Sequence, residues 1–191
     1  SQLIRGAAEE LISRPGELVD PRLIGAAMAR AADRAYSSVR EPAEGTILTV
    51  MREMATRIAT ELAHLPDADT RLGPDADPEE QNALLAGILE KAVAAGEASV
   101  KRGPELLPVL RQAGVVDAGG YGVTIIFAGI VAARRGTEGP ELDHYEPPAA
   151  GSAGHAQHES STYRYCTNFA VTGQGLAATK WIAPLEALGD S

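Results

Sequence analysis

Two short stretches of this sequence place polar side chains and bare backbone where a helix is predicted to begin. The first is Gly45-Thr46, which follows a turn disrupted by proline. The second is the segment DAGG, residues 117–120, which separates two apolar helical segments. The free backbone N–H groups of a helix N-terminus can hold an anion, and glycine lets a ligand approach the backbone closely. The chemistry that these residue types could perform is binding of a phosphate group or a nucleotide.

Both stretches also fit a purely structural role. Threonine and aspartate are common N-cap residues, so Thr46 and Asp117 could each do no more than cap a helix. The glycines could likewise serve only close packing between helices. What favours a shared pocket is that two such loops each open a helix in one bundle.

Most of the chain is predicted to be helical, because apolar residues recur near the helical period. Asp20-Pro21 is a typical helix start, with an N-cap followed by proline in the first turn. Gly103-Pro104 is expected to end a helix. The segment 120–134 is apolar nearly all round, which is typical of a central core helix. The predicted helices are 1–13, 20–40, 45–65, 79–101, 105–114 and 120–134.

The composition excludes several classes of protein. Of 191 residues, 45% are apolar but only 4% are aromatic, which favours close-packed helices over a strand-rich sandwich. The net charge is −9 and no basic stripe is present, which argues against a nucleic-acid partner. The longest apolar runs are too short to cross a membrane, and no signal peptide opens the sequence. The single cysteine cannot form an internal disulfide, so a cytoplasmic location is expected.

The remaining segments suggest how the chain is organised. Residues 66–78 are acidic but fail the spacing of an EF-hand loop, so we predict a solvated insertion. Pro, Gly, Ser and His residues dominate 137–160, which indicates a linker. Residues 162–171 are the best strand candidate, and 176–188 return to a helix that Pro184 is expected to kink or divide. We therefore predict a mainly α domain over 1–136, a linker over 137–160 and the start of an α/β domain over 161–191, with both ends cut inside a larger protein.

Longer motifs in this sequence resemble a known family. "EPAEGTILTVMRE" (41–53) and "GPELLPVLRQAGVVDAGGYGV" (103–123) are similar to the second half of the nucleotide-binding domain of dihydroxyacetone kinases, the Dak2 or DhaL-like domain. The second motif and "YRYCTNF" (163–169) resemble the ATP-binding subunit of bacterial fatty acid kinases. The resemblance covers nearly the whole chain.

The resemblance implies a fold and an activity. The fold is an incomplete helical barrel that binds ATP and Mg²⁺ at one rim, followed by a middle α/β domain. The activity is phosphoryl transfer from ATP to the carboxylate of a fatty acid held by a separate fatty-acid-binding carrier protein. A glycerone-type kinase subunit and a catalytically silent helical interaction module are the alternatives, and a homodimer stays open.

The resemblance also implies site residues. Two loops would line the nucleotide, with Ile47 and Leu48 beside the base, and the second loop departs from the family's Asp-Pro-Gly at Ala118. The residues carried over are Gly45, Thr46, Ile47, Leu48, Asp117, Gly119 and Gly120.

Parts of the family's metal chemistry are not found in the 191 residues. The "DGDTGTNM"-like segment that carries the magnesium-binding aspartates is missing, as is the Gly-Asn-Ser-Gly phosphate loop. Because phosphoryl transfer needs magnesium, we expect this chain alone to be inactive. Cys166 resembles a cysteine that pairs with a downstream His-X-His motif to hold zinc. With one ligand of about four present, an ordinary strand cysteine is the competing interpretation, and His155 and His158 are weak substitutes.

Overall fold

The computed structural model describes residues 2–14, 19–66, 70, 75–139, 170–177 and 179–189. The chain divides into two units, Ser1–Gly154 and His155–Ser191. The described helices of the first unit are α1 (Gln2–Ile12), α2 (Pro21–Ser37), α3 (Ile47–Ala63), α4 (Pro78–Leu106), α5 (Pro108–Ala113) and α6 (Ala118–Arg135). The prediction of a mainly helical fold is confirmed.

Local signals in the sequence account for where these helices begin and end. The Asp20 carboxylate accepts a hydrogen bond from the Leu23 N–H at 2.7 Å, and Pro21 occupies the first turn of α2, as predicted. Asp77 caps α4 in the same way. Gly114 ends α5 and Gly136 ends α6, both in the left-handed conformation that favours glycine.

The core lies around α3, which packs against α2, α4 and α6, while α1 packs on α2. Met54 and Ile58 of α3 have no exposed surface. Burying a side chain of this size stabilises the fold by roughly 1.5–3 kcal/mol. Helices approach one another closely at small residues: a Cβ atom on Gly96 of α4 would lie 2.7 Å from Thr124 Cγ2 of α6. The low aromatic content is therefore compatible with a dense core.

The predicted end of the fourth helix at residue 101 is wrong. α4 continues through Gly103 and Pro104 to Leu106. Gly103 is packed against the backbone of Gly45, since a Cβ atom there would lie 3.0 Å from the Gly45 carbonyl oxygen. This tertiary contact favours the helical path over the local preferences of glycine and proline. The break comes at Leu107, which is extended because it precedes Pro108.

The prediction that the last helix of this unit is central is also wrong. Ile125, Ile126 and Ile130 of α6 are 39%, 62% and 40% exposed. The buried face of α6 is built from small or branched residues such as Thr124 and Ala128. A helix that is apolar all round carries no polar stripe to show which side faces solvent. Neighbouring helices decide this, and those described here cover one side.

The second unit contains α7 (Thr179–Glu186), which continues through Pro184 rather than dividing there. The predicted strand over 162–171 falls outside the described residues except for Ala170 and Val171, which do not form a strand. Most of the predicted linker over 137–160 and of the acidic insertion over 66–78 also lies outside them. The start of an α/β domain therefore stays a prediction. Within the described chain, no helix has the length and apolar character needed to span a membrane.

Candidate functional site

The N-termini of α3 and α6 lie in contact. A Cβ atom on Gly119, the second residue of α6, would lie 3.3 Å from the Cβ atom of Ile47, the first residue of α3. A Cβ atom on Gly120 would lie 2.8 Å from Val50 Cγ2. The structure thus brings together the two loops selected from the sequence, and we refer to residues 45–49 and 117–121 as the paired N-termini.

Gly45 shapes the turn that leads into α3. Its φ angle is +85°, in the region that favours glycine, and a Cβ atom would lie 2.7 Å from the Gly103 carbonyl oxygen. The helix predicted to run from about Gly45 begins two residues later, at Ile47, because Gly45 lies in the turn before it. Its N–H donates to Thr49 Oγ1 at 2.9 Å, so that amide has a partner within the chain.

Thr46 and Asp117 both act as caps. Thr46 Oγ1 accepts from the Leu48 N–H at 3.4 Å and donates to the Ala43 carbonyl at 2.8 Å. Asp117 Oδ2 accepts from the Gly120 N–H at 2.7 Å, and α6 begins at Ala118 rather than at the predicted Gly120. Both residues therefore cap their helices, and a role of either residue in a nucleotide site stays a prediction.

Capping leaves some amides of the paired N-termini without an intrahelical acceptor. By the geometry of an α-helix, the N–H groups of Ile47, Ala118 and Gly119 precede the first intrahelical bonds. Two helices of 17 and 18 residues direct the positive ends of their dipoles to this place. Chemically, the arrangement is suited to an anion such as a phosphate group.

The predicted neighbours of the base differ in exposure. Leu48 is buried, with 8% of its surface exposed, and belongs to the core. Ile47 is only partly buried and packs against Gly119. Of the two, Ile47 is the residue placed where it could also touch a ligand.

A polar network beside the paired N-termini was missed by the sequence analysis. The Glu44 carboxylate accepts hydrogen bonds from Thr49 Oγ1 at 2.7 Å, from Arg52 Nη2 at 2.7 Å and from the Tyr36 hydroxyl at 3.2 Å. The Arg52 guanidinium carbon also lies 4.5 Å from the centre of the Tyr36 ring. We call Tyr36, Glu44, Thr49 and Arg52 the Glu44 network. The available signal was the spacing of Glu44, Thr49 and Arg52 across the turn into α3.

The Glu44 network favours the ionised carboxylate. Partial burial alone would raise the pKa of Glu44, but the hydrogen bonds from Thr49 and Arg52 outweigh it and hold that pKa below its ordinary value. Burial raises the pKa of the Tyr36 hydroxyl, which therefore stays a neutral donor near pH 7. A negative charge on Glu44 is thus balanced locally by Arg52.

No described cluster of three or more His, Cys, Asp or Glu residues is arranged to hold a metal ion. Cys166, His155 and His158 lie outside the described residues, so the zinc prediction has no structural counterpart among them. The described part of the chain therefore offers backbone N–H groups for an anion and no assembled carboxylate site for magnesium.

A cavity of about 620 Å³ lies between α4 and the C-terminal half of α6. Buried Val131 and Ala132 form part of its wall, with Glu97 and the Glu90–Arg135 ion pair alongside. None of the predicted site residues lines this cavity. The candidate site is the surface of the paired N-termini, at the opposite end of α6.

Comparison with known proteins adds independent information. Residues 74–132 match the family model of the DAK2 domain, a range that includes 117–120 but not 45–48. An uncharacterized protein of Staphylococcus saprophyticus is 32% identical over 180 residues, covering 90% of this chain and 29% of the relative. Protein YloV of Bacillus subtilis is 34% identical over 141 residues, covering 74% of this chain and 22% of that protein.

An uncharacterized protein of Staphylococcus aureus is 29% identical over 177 residues, covering 90% of this chain and 29% of the relative. The chain thus spans less than a third of the length of these curated relatives. The family match lies on α4, α5 and α6 and therefore includes one of the two helices that form the paired N-termini. Together, these similarities support a protein of the DAK2, or DhaL-like, type, and a domain of this type implies nucleotide binding.

Proposed function

We propose that the paired N-termini form part of the ATP-binding site of a kinase. The observation that carries the proposal is the contact between the first turns of α3 and α6, which places the N–H groups of Ile47, Ala118 and Gly119 on neighbouring turns. Two helix dipoles and several backbone donors acting together favour the binding of a polyphosphate. In this role Thr46 and Asp117 fix the backbone, and the backbone binds the nucleotide.

The substrate that the sequence motifs favour is a fatty acid bound to a carrier protein, whose carboxylate would receive the phosphoryl group. This rests on the resemblance of 103–123 and 163–169 to the ATP-binding subunit of fatty acid kinases. A glycerone-type kinase is the second candidate, because the DAK2 match over 74–132 supports it equally well. Phosphorylation assays of the full-length protein with a carrier-bound fatty acid and with dihydroxyacetone would separate the two.

The proposal confines the described residues to holding the nucleotide. Magnesium would neutralise charge on the transferring phosphoryl group when bound. The described residues do not provide a fitting set of carboxylates for it, so we derive no step through the metal. A zinc site at Cys166 and a fatty-acid carrier as partner stay predictions.

The proposal is tested by titrating the purified chain with ATP and measuring its affinity by calorimetry. In Gly119→Ala the new methyl group would lie 3.2 Å from Asp117 Oδ2 and 3.3 Å from Ile47 Cβ, so the cap or the contact between the first turns of α3 and α6 must shift. We expect this variant to bind ATP at least about tenfold more weakly, since a lost hydrogen bond to a charged group contributes roughly 1.5–3 kcal/mol.

Gly122→Ala is the matched control, because a Cβ atom at Gly122 meets nothing within 4 Å. Its affinity for ATP should equal that of the unchanged chain. Equal affinity of Gly119→Ala and Gly122→Ala, with both variants folded, would refute the assignment of the nucleotide to the paired N-termini.

A further inference from the structure

We infer that Glu44 is a positioning residue that orders the Gly45–Thr46 turn, so that the N-terminus of α3 presents its amides beside α6. The inference rests on the proposed function, because it concerns the same nucleotide site. Glu44 would act on the nucleotide only through the backbone of the turn.

The contacts form a directed chain from the carboxylate to the turn. Thr49 Oγ1 donates its single proton to Glu44 Oε2 at 2.7 Å. The lone pairs of Thr49 Oγ1 are then free to accept a hydrogen bond from the Gly45 N–H, whose nitrogen lies 2.9 Å away. Since Thr49 is 2% exposed, water cannot readily replace either partner.

The carboxylate sets the direction of this hydrogen bond. Without an acceptor at Glu44, the Thr49 hydroxyl could turn its proton toward a backbone carbonyl one turn earlier, as threonines in helices commonly do. Its oxygen would then be less available to the Gly45 N–H. The turn would lose the contact that holds it from the α3 side.

The opposite side of the turn is fixed by α4. A Cβ atom on Gly45 would lie 2.7 Å from the Gly103 carbonyl oxygen, and one on Gly103 would lie 3.0 Å from the Gly45 carbonyl oxygen. The turn is thus held between the Gly103 backbone and the Thr49 hydroxyl. Both contacts are made by Gly45, which directly precedes Thr46, the N-cap residue of α3.

Arg52 explains how a carboxylate can lie close to an anion site. A bare negative charge on Glu44 would repel a phosphate group, but Arg52 donates to it at 2.7 Å and lies over the Tyr36 ring. The local charge is therefore balanced, and the effect of Glu44 on the nucleotide is geometric.

The test compares Glu44→Ala and Thr49→Val with Glu53→Ala in the same chain, because alanine, unlike glutamine, leaves no acceptor oxygen for the Thr49 hydroxyl. Glu53 is the matched control, because it also lies on α3 and also pairs with an arginine, Arg102, at 2.6 Å, but has no hydrogen bond to the turn. Two quantities are measured for each variant: hydrogen exchange of the Gly45 amide by NMR, and affinity for ATP by calorimetry.

In Glu44→Ala and Thr49→Val, we expect the Gly45 amide to exchange roughly five- to tenfold faster and ATP to bind more weakly by a similar factor, as expected for the loss of about one hydrogen bond. Glu53→Ala should leave both quantities within about twofold. Thr49→Ser keeps the hydroxyl, so it should retain the slow exchange of the Gly45 amide and the ATP affinity of the unchanged chain. It is the second variant at this position if Thr49→Val fails to fold.

Two results would contradict the inference in different ways. Faster Gly45 exchange with unchanged ATP affinity would show that the Glu44 network is only structural, while the proposed nucleotide site stands. Absence of ATP binding by the unchanged chain would instead refute the proposed function, and this inference with it.

Discussion

Replacing Gly120 by alanine tests the contact between α3 and α6 most sharply. The new Cβ atom would lie 2.8 Å from Val50 Cγ2, closer than real Cβ contacts, and 3.6 Å from Val100 Cγ2. Val50 is 1% exposed and its branched side chain has few alternative rotamers. The backbones of α3 and α6 must therefore move apart to make room for the new methyl group. Overpacking of this kind costs about 1–3 kcal/mol.

The gain in helix propensity partly offsets this cost. Alanine in a helix is favoured over glycine by roughly 0.8–1 kcal/mol in the interior and by less in the first turn. We therefore expect Gly120→Ala to lower the free energy of unfolding by about 0.5–2 kcal/mol. In the same helix, Gly122→Ala meets nothing within 4 Å and should raise it by up to about 1 kcal/mol.

Urea unfolding followed by circular dichroism measures both values. The two glycines lie two positions apart in α6, so the comparison separates packing from propensity. If Gly120→Ala proved as stable as Gly122→Ala, the first turns of α3 and α6 could not be in the contact described. The reasoning about the paired N-termini would then fail.

The remaining predictions concern charge and capping. Asp117→Ala should lower the free energy of unfolding by about 0.5–2 kcal/mol, because the Gly120 N–H loses its cap. Asp117→Asn keeps an acceptor and should lower the free energy of unfolding much less. Equal losses of stability in the two variants would show that Asp117 does not act as a cap. Because the pKa of Glu44 is held below its ordinary value of 4.5, its stabilising effect is present above that pH and is lost as the pH falls through the lower folded value. Acid titrations should therefore show a smaller loss of stability below pH 4.5 in Glu44→Gln than in the unchanged chain. The difference should be modest, because the Glu44 side chain is 43% exposed. Identical acid profiles of the two chains would contradict the Glu44 network.

The parts of the fold that the sequence predicted well are those governed by local signals. Asp20, Pro21 and Gly114 act through bonds within their own turn, and their effects on α2 and α5 could be anticipated. Residues whose role depends on distant partners were misjudged. Gly103 and Pro104 lie inside α4, where Gly103 packs against Gly45, far away in the sequence.

The candidate site shows the same division. Thr46 and Asp117 could be selected because a hydroxyl or carboxylate at a helix start has a local meaning. The adjacency of Ile47 and Gly119 could not be derived, since it depends on how α3 and α6 pack. Glu44 was not selected, because its spacing to Thr49 and Arg52 gains a meaning only once the turn into α3 is known to bring the three side chains together.

Residue-by-residue NMR of the chain during addition of ATP would locate the nucleotide site. We expect the largest shifts at the amides of Ile47, Ala118 and Gly119, while the first turn of α4, at Glu79 and Glu80, is unaffected. Shifts confined instead to the cavity between α4 and the C-terminal half of α6, or an unchanged spectrum at saturating ATP, would contradict a nucleotide site at the paired N-termini.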